Sequence, residues 1–306
     1  MERVKNKKSD LIEILIFFSV SYGMSLFCGS LIYLGIYENS EKMSTFMMLT
    51  PATGVVLAKM CSRSEKKEIS RLHKMIILVF GITLLGLVLR ATGVISEQLF
   101  NTSLHIPVFV ISIIAFVYSW VFCPELSPFK NIKVGVKYLL IYVAINITVI
   151  LIMNLKGVDY RLFVGLCLSF AYFPTQCLLT FGEEYGWRGY LQPLLQEKFG
   201  KRWGVILVGI LWQIWHVPFY FPDKFWDGRI LFARFIYLPA LSVVLGYVYM
   251  KTENVWLVAY MHFITNLILG GFLPVYTDIR YPVALLLISC IWFLLLFTKE
   301  YKNTKQ

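Results

Sequence analysis

The chain is a succession of long apolar runs divided by short polar segments. Runs of this kind fall near 11–37, 43–60, 75–95, 104–123, 136–155, 162–198, 203–222, 231–250, 254–273 and 281–298. Each approaches the roughly 20 apolar residues that a helix needs to cross a bilayer. The pattern predicts an all-α, polytopic transmembrane helical bundle. Ten spans are expected, with eight as the lower bound, because 43–60 is short and holds Pro51. The first run resembles a signal-peptide core but lacks a small-residue cleavage site, and more spans follow, so it is expected to stay as a helix. No intervening segment has room for a soluble domain, and no internal repeat is apparent.

Composition agrees with the pattern. Apolar residues make up 58% of the 306 and charged residues 15%, against roughly 45–50% and 25% in soluble domains. The net charge of +11 would suggest nucleic acid in a soluble protein, but here the basic residues sit in alternate loops. Arg3 to Lys8, the stretch from Lys59 to Lys74, Lys130 to Lys137, Lys198 to Arg202 and Lys299 to Lys305 are basic. The loops between them are acidic or balanced. That alternation places both termini in the cytoplasm and makes the lipid bilayer, not nucleic acid, the partner. The six cysteines form no CxxC pair and read as small buried hydrophobes.

A charge at the centre of a span costs about 2.5–3.5 kcal/mol on insertion scales, so intramembrane ionisable residues mark function. All five Asp lie in loops or at span edges, which excludes an intramembrane aspartyl protease. Glu183, Glu184, Arg188, His216 and His262 lie deep within apolar runs and fall in one stretch of the chain. Glu184 precedes Arg188 by four residues, the favourable orientation for a helical ion pair. Glu183 then points about 100° away, toward a cavity. Gly182, Gly186 and Gly189 offer a face for close helix approach. Trp212 precedes His216 by one turn, and His262 shares a face with Asn266.

The depths of these groups agree. If the sixth helix runs on to Lys198, with a kink near Pro174, Glu183 is roughly 22 Å from its end. His216 is roughly 20 Å from Trp203, and Asn266 roughly 18 Å from Asn254. A carboxylate in such an apolar, partly wet site can take a proton from water, a His can share that task, and an Asn amide can donate to an oxyanion. The predicted chemistry is hydrolysis. Glu183, His216 and His262 would equally suit zinc with an open water position, so zinc catalysis and a metal-independent glutamate mechanism both stand. No GxSxG or HExxH motif is present.

EExxxR at Glu183–Arg188, an aromatic-xxx-His at Trp212–His216 and HxxxN at His262–Asn266 occur in that order on successive spans. Together they resemble the CAAX prenyl protease and bacteriocin-processing (CPBP, Abi) family of intramembrane proteases, the type II CAAX endopeptidase group. The chain is expected to be a single structural domain, with helices at 1–160 that carry no family signature, a catalytic core at 161–298 and a cytoplasmic tail at 299–306. The resemblance implies that Glu183 and His216 activate water, that His262 and Asn266 bind the carbonyl, and that Glu184 and Arg188 support them. It also implies a membrane-associated peptide or protein substrate. Eukaryotic members trim prenylated proteins, whereas bacterial members are associated with peptide maturation and bacteriocin immunity. The Lys/Ile/Asn-rich composition favours the cytoplasmic membrane of a low-GC bacterium. One departure is visible: Trp212 stands where the family usually has Phe, which predicts a reshaped pocket. Trp187 and Trp212 are the expected pocket aromatics.

Three competing functions use the same residues. A non-catalytic immunity or scaffold protein would have no reason to keep every motif position intact. A cation-coupled transporter would carry protons on the glutamates. A haem protein would use His216 and His262 as axial ligands and would show a Soret band.

Overall fold

The computed structural model describes residues 7–37, 41–61, 70–153, 160–220, 227–273 and 278–302. Several topology charges, among them Arg3, Arg63, Lys66, Asp159, Asp223 and Lys305, lie outside these segments. The described residues form ten α-helices and contain no strand. They are α1 (Lys7–Tyr33), α2 (Glu41–Cys61), α3 (Arg71–Ala91), α4 (Glu97–Phe122), α5 (Ile132–Met153), α6 (Arg161–Gly186), α7 (Gln192–Tyr220), α8 (Gly228–Thr252), α9 (Val255–Gly271) and α10 (Arg280–Phe293). One apolar core extends from Phe17 in α1 to Trp292 in α10. Leucines, valines and phenylalanines such as Leu26, Val121, Phe122 and Phe170 are exposed on the outer faces. Lipid, not water, is the natural solvent for such faces.

Eight candidate spans are long and apolar enough to cross a membrane, the lower bound of the expectation. The expected sixth and seventh spans are two helices that follow one another without an intervening loop over Arg161–Pro218. That run passes through Pro174 without interruption, continues through a π-helical turn at Trp187–Leu191 and breaks at Gly200. There φ is 79° and ψ 163°, a backbone that only glycine adopts readily. The chain doubles back at this point, so a Cβ on Gly204 would lie 2.6 Å from the Gln196 backbone. The break therefore sits just past Lys198, where the sequence placed the helix end. The expected ninth span is a shorter apolar helix, α9 having 17 residues. It is apolar on nearly all faces because protein surrounds it, with Trp256, Val258, Met261 and Ile264 all buried.

The helices around α6, α7 and α9 hold those three in place. Cβ atoms on Gly182 and Gly186 would come within 2.5 Å of Met48 O and 2.4 Å of Pro51 Cβ, so α6 lies directly against α2. Gly189 meets nothing so close, so the expected glycine face is two residues long. Tyr22 Oη donates to Leu211 O at 2.7 Å, and Trp215 Nε1 donates to Ser21 O at 3.0 Å, which lashes α1 to α7. Asn254 caps α9 by accepting from Leu257 N at 2.9 Å, and its Nδ2 donates to Pro128 O at 2.9 Å and Lys130 O at 2.7 Å. This cap sets the depth of α9 and of everything it carries.

Residues 299–301 pack onto the bundle. Tyr301 is fully buried and donates to Val243 O at 2.6 Å. Glu300 pairs with Lys251, and this cation holds its carboxyl below the usual carboxylate range. Lys299–Tyr301 is a 3-10 turn docked on α8.

Candidate active site

The hairpin at Gly200 folds the rest of α7 back, so residues far apart on the run meet. Trp212 Nε1 donates to Glu183 Oε2 at 2.7 Å. One turn later, His216 Nδ1 lies 2.8 Å from the Trp212 carbonyl oxygen. A carbonyl can only accept, so Nδ1 carries a proton and donates it to this oxygen. Glu183 and His216 are thus fixed through the indole N–H and the backbone of a single residue. Both are buried, at 3% and 9% exposure.

The adjacent carboxylate has different partners. Arg188 Nη1 lies 3.0 Å from Glu184 Oε1 and 2.9 Å from Oε2, and both side chains are fully buried. His262 Nδ1 reaches the same Oε1 at 2.9 Å. Glu184 therefore joins three elements: α6, the π turn and α9. The extra residue of the π turn lies between Glu184 and the rest of the hairpin, a common site for such a bulge. The Trp212 ring closes the arrangement, with the Arg188 guanidinium over its face at 4.4 Å and the His262 ring edge-on at 5.1 Å.

A cavity of about 230 Å³ opens beside these groups, lined by Trp212, His216, His262, Asn266, Arg234 and Tyr237 among others. Asn266 also lines a second cavity of about 540 Å³ between α2, α4, α6 and α9, so it stands where the two spaces meet. Thr265, next to Asn266, shares a short hydrogen bond with the Tyr142 hydroxyl of α5, which buttresses α9 from behind.

All the residues expected from the motifs lie within this region, with different placements. His216, His262 and Asn266 line the smaller cavity, while Glu183 sits behind Trp212. Trp187 has a packing position: it is fully buried, with its ring 5.7 Å from Phe17 and 5.9 Å from Trp215, and it lines neither cavity. Glu184 is more than a partner for Arg188, since it also orients His262. Arg234 was not anticipated, although a charge inside the apolar run 231–250 was a visible signal. The zinc set is not assembled. Among the described residues no three His, Cys, Asp or Glu side chains are grouped so as to hold a metal ion. Glu183 faces an indole N–H and His262 faces Glu184, so these residues as placed do not fit a shared metal.

Residues 166–268 match the sequence model of a family described as type II CAAX prenyl endopeptidase Rce1-like. The chain is also similar to CAAX prenyl protease 2 of Methanococcus maripaludis, at 26% identity over 151 residues. That similarity covers 45% of this chain and 56% of the relative, so the chain spans little more than half the relative's length. Both findings bear out the resemblance that the three motifs carry. Every site residue from Glu183 to Asn266 falls inside the matched stretch. The preceding helices α1 to α5 lie outside it.

Proposed function

We propose that this membrane protein is an intramembrane endopeptidase that cleaves a membrane-associated peptide or protein precursor. The observation that carries the proposal is the joint attachment of Glu183 and His216 to Trp212 beside a cavity that His262 and Asn266 also line. In the proposed reaction, a water molecule gives a proton to Glu183, assisted by His216 Nε2. Its oxygen attacks the peptide carbonyl carbon, and the carbonyl π electrons move onto oxygen. His262 and Asn266 stabilise that oxyanion by donation. Collapse of the intermediate breaks the C–N bond, and the proton held by the Glu183–His216 pair passes to the leaving amine.

Trp212 has a defined part in this scheme. Phe in the same place would keep the aromatic surface under Arg188 but would have no N–H for Glu183. The indole therefore fixes the direction of the reacting carboxylate. Glu184 and Arg188 act at one remove, as a neutralised pair that orients His262.

The similarity to CAAX proteases supports peptide chemistry, and the bacterial side of the resemblance suggests peptide maturation or bacteriocin processing as the setting. A comparison of cellular and secreted peptides from cells carrying wild type or Glu183→Ala tests the proposal and identifies the substrate. A precursor should accumulate, and its cleaved product should vanish, in the variant. Identical peptide profiles, with equal amounts of folded protein, would refute the assignment.

A further inference from the structure

The largest cavity among those described here is not the one beside the proposed reaction site. It measures about 1020 Å³ and lies where the ends of α2, α8 and the first turns of α3, α7 and α9 meet, at the basic-loop end of the bundle. Its wall includes Lys59, His73 and Tyr185 from three different helices. We propose that it binds a phosphate-bearing anion, either the head group of an anionic phospholipid or free phosphate, with Lys59 and the Tyr185 hydroxyl as the recognising groups.

Proton bookkeeping in this cluster supports the proposal. The Ser70 backbone N–H donates to His73 Nδ1 at 3.3 Å in the capping box of α3. A backbone N–H can only donate, so Nδ1 accepts and the ring proton is on Nε2. Nε2 lies 2.8 Å from the Tyr185 hydroxyl, so it donates to that oxygen. Lys59 Nζ donates to the same oxygen at 2.6 Å. The phenol oxygen thus receives two donors, one of them cationic, and its own hydrogen has to donate elsewhere. Lys59 retains two further N–H groups. Three donors, two of them on the Lys59 ammonium group, therefore meet at the wall of a cavity far larger than the roughly 30 Å³ share of one water. Tyr185 and His73 are nearly buried, at 6% and 8% exposure, so these donors are fixed in place and do not belong to mobile surface side chains.

On the remaining wall Lys130 pairs with Glu253 at 2.9 Å, and Lys251 pairs with Glu300, so two of the lining carboxylates are already neutralised. A tetrahedral phosphate, with several acceptor oxygens and at least one negative charge, matches a cation with convergent hydroxyl and ammonium donors. Such anions are concentrated where this cavity lies, because basic segments beside a membrane attract anionic lipid.

The test uses the full chain in a zwitterionic detergent, titrated separately with phosphatidylglycerol, with phosphatidylcholine of the same acyl chains, and with inorganic phosphate at constant ionic strength. Native mass spectrometry counts adducts, and thermal unfolding reports stabilisation on binding. Wild type should bind phosphatidylglycerol or phosphate in preference to phosphatidylcholine. Lys59→Gln and Tyr185→Phe should each weaken that binding by roughly tenfold or more. Tyr185→Phe keeps the lysine, and so supplies the comparison if Lys59→Gln lowers the ligand-free Tm. Competition between inorganic phosphate and phosphatidylglycerol identifies free phosphate as a ligand, and binding of the lipid alone identifies the head group. The proposal is overturned if wild type has no preference for either anion, or if both variants bind as wild type does. It is equally overturned if Lys198→Gln, at the surface outside this cavity, weakens binding as much as Lys59→Gln. None of these outcomes depends on peptidase activity.

Discussion

The two carboxylates beside the Trp212 ring differ in their partners. Glu184 is compensated by a guanidinium at 2.9 Å and an imidazole at 2.9 Å. Glu183 takes a hydrogen bond from a neutral indole, at 2.7 Å. Two carboxylates adjacent in sequence thus occupy opposite situations. Compensation makes Glu184 a structural joint between α6, the π turn and α9, because a buried charge deprived of its partner is expensive. Light compensation leaves Glu183 as the group with reactivity to spare. A site that must both stay folded in lipid and exchange a proton with water needs both kinds of carboxylate, and the i and i+1 positions of a helix supply them on different faces.

That contrast is easiest to break by removing the charges one at a time. The largest expected effect is on turnover. Glu183→Ala and His216→Ala should each abolish peptide cleavage while the protein still purifies in folded form, as size-exclusion chromatography and thermal unfolding would report. Arg188→Ala should do the reverse, costing about 3–5 kcal/mol of stability by leaving Glu184 buried and unpaired. A denaturation series or a drop in folded yield would register that loss. Were Arg188→Ala as stable as wild type, the ion pair would not be the structural side of the contrast.

Smaller effects sharpen the picture. Asn266→Ala should keep a reduced rate, lower by about 10²–10³, as the loss of one oxyanion donor predicts. Undiminished kcat would remove Asn266 from the site. Trp212→Phe preserves the aromatic face and deletes only the N–H. It should lower kcat by roughly tenfold or somewhat more, the worth of a hydrogen bond to a charged group, with KM little changed. If Trp212→Phe raised KM and spared kcat, the ring would be a substrate contact and not the holder of Glu183.

Much of the site was visible in the sequence. The depth count placed Glu183, His216 and Asn266 at one level, and the hairpin at Gly200 with the Asn254 cap on α9 produces that registration. The Glu184–Arg188 pair follows from four-residue spacing alone. Tertiary partners were not visible. Nothing in a linear pattern tells that Glu184 also meets His262, since that contact depends on how α9 leans on α6. The Trp212 N–H was present in the sequence, but its acceptor depends on the fold-back of α7. Trp187 looked like a pocket aromatic because it neighbours the motif, yet the π turn rotates it into the core against Phe17 and Trp215. Arg234 belongs to none of the three motifs, and the linear pattern did not tie its charge inside the run 231–250 to any of them.

The same reasoning explains the count of helices. Hydropathy recognises apolar length, so α9 at 17 residues looked like a span of its own although other helices enclose it. The signature-free helices also acquire a purpose that no motif could announce. α1 holds α7 through Tyr22 and Trp215, α2 takes the glycine face of α6, and α5 supports α9 through Tyr142 and Thr265.

The division of labour between the two glutamates is tested most directly by measuring Glu183→Gln and Glu184→Gln side by side, recording thermal unfolding and cleavage of the identified precursor in liposomes. Glu183→Gln should unfold close to the wild-type temperature and cleave nothing, whereas Glu184→Gln should lose stability because Arg188 is left as an uncompensated buried cation. Cleavage by Glu183→Gln at the wild-type rate would contradict the account.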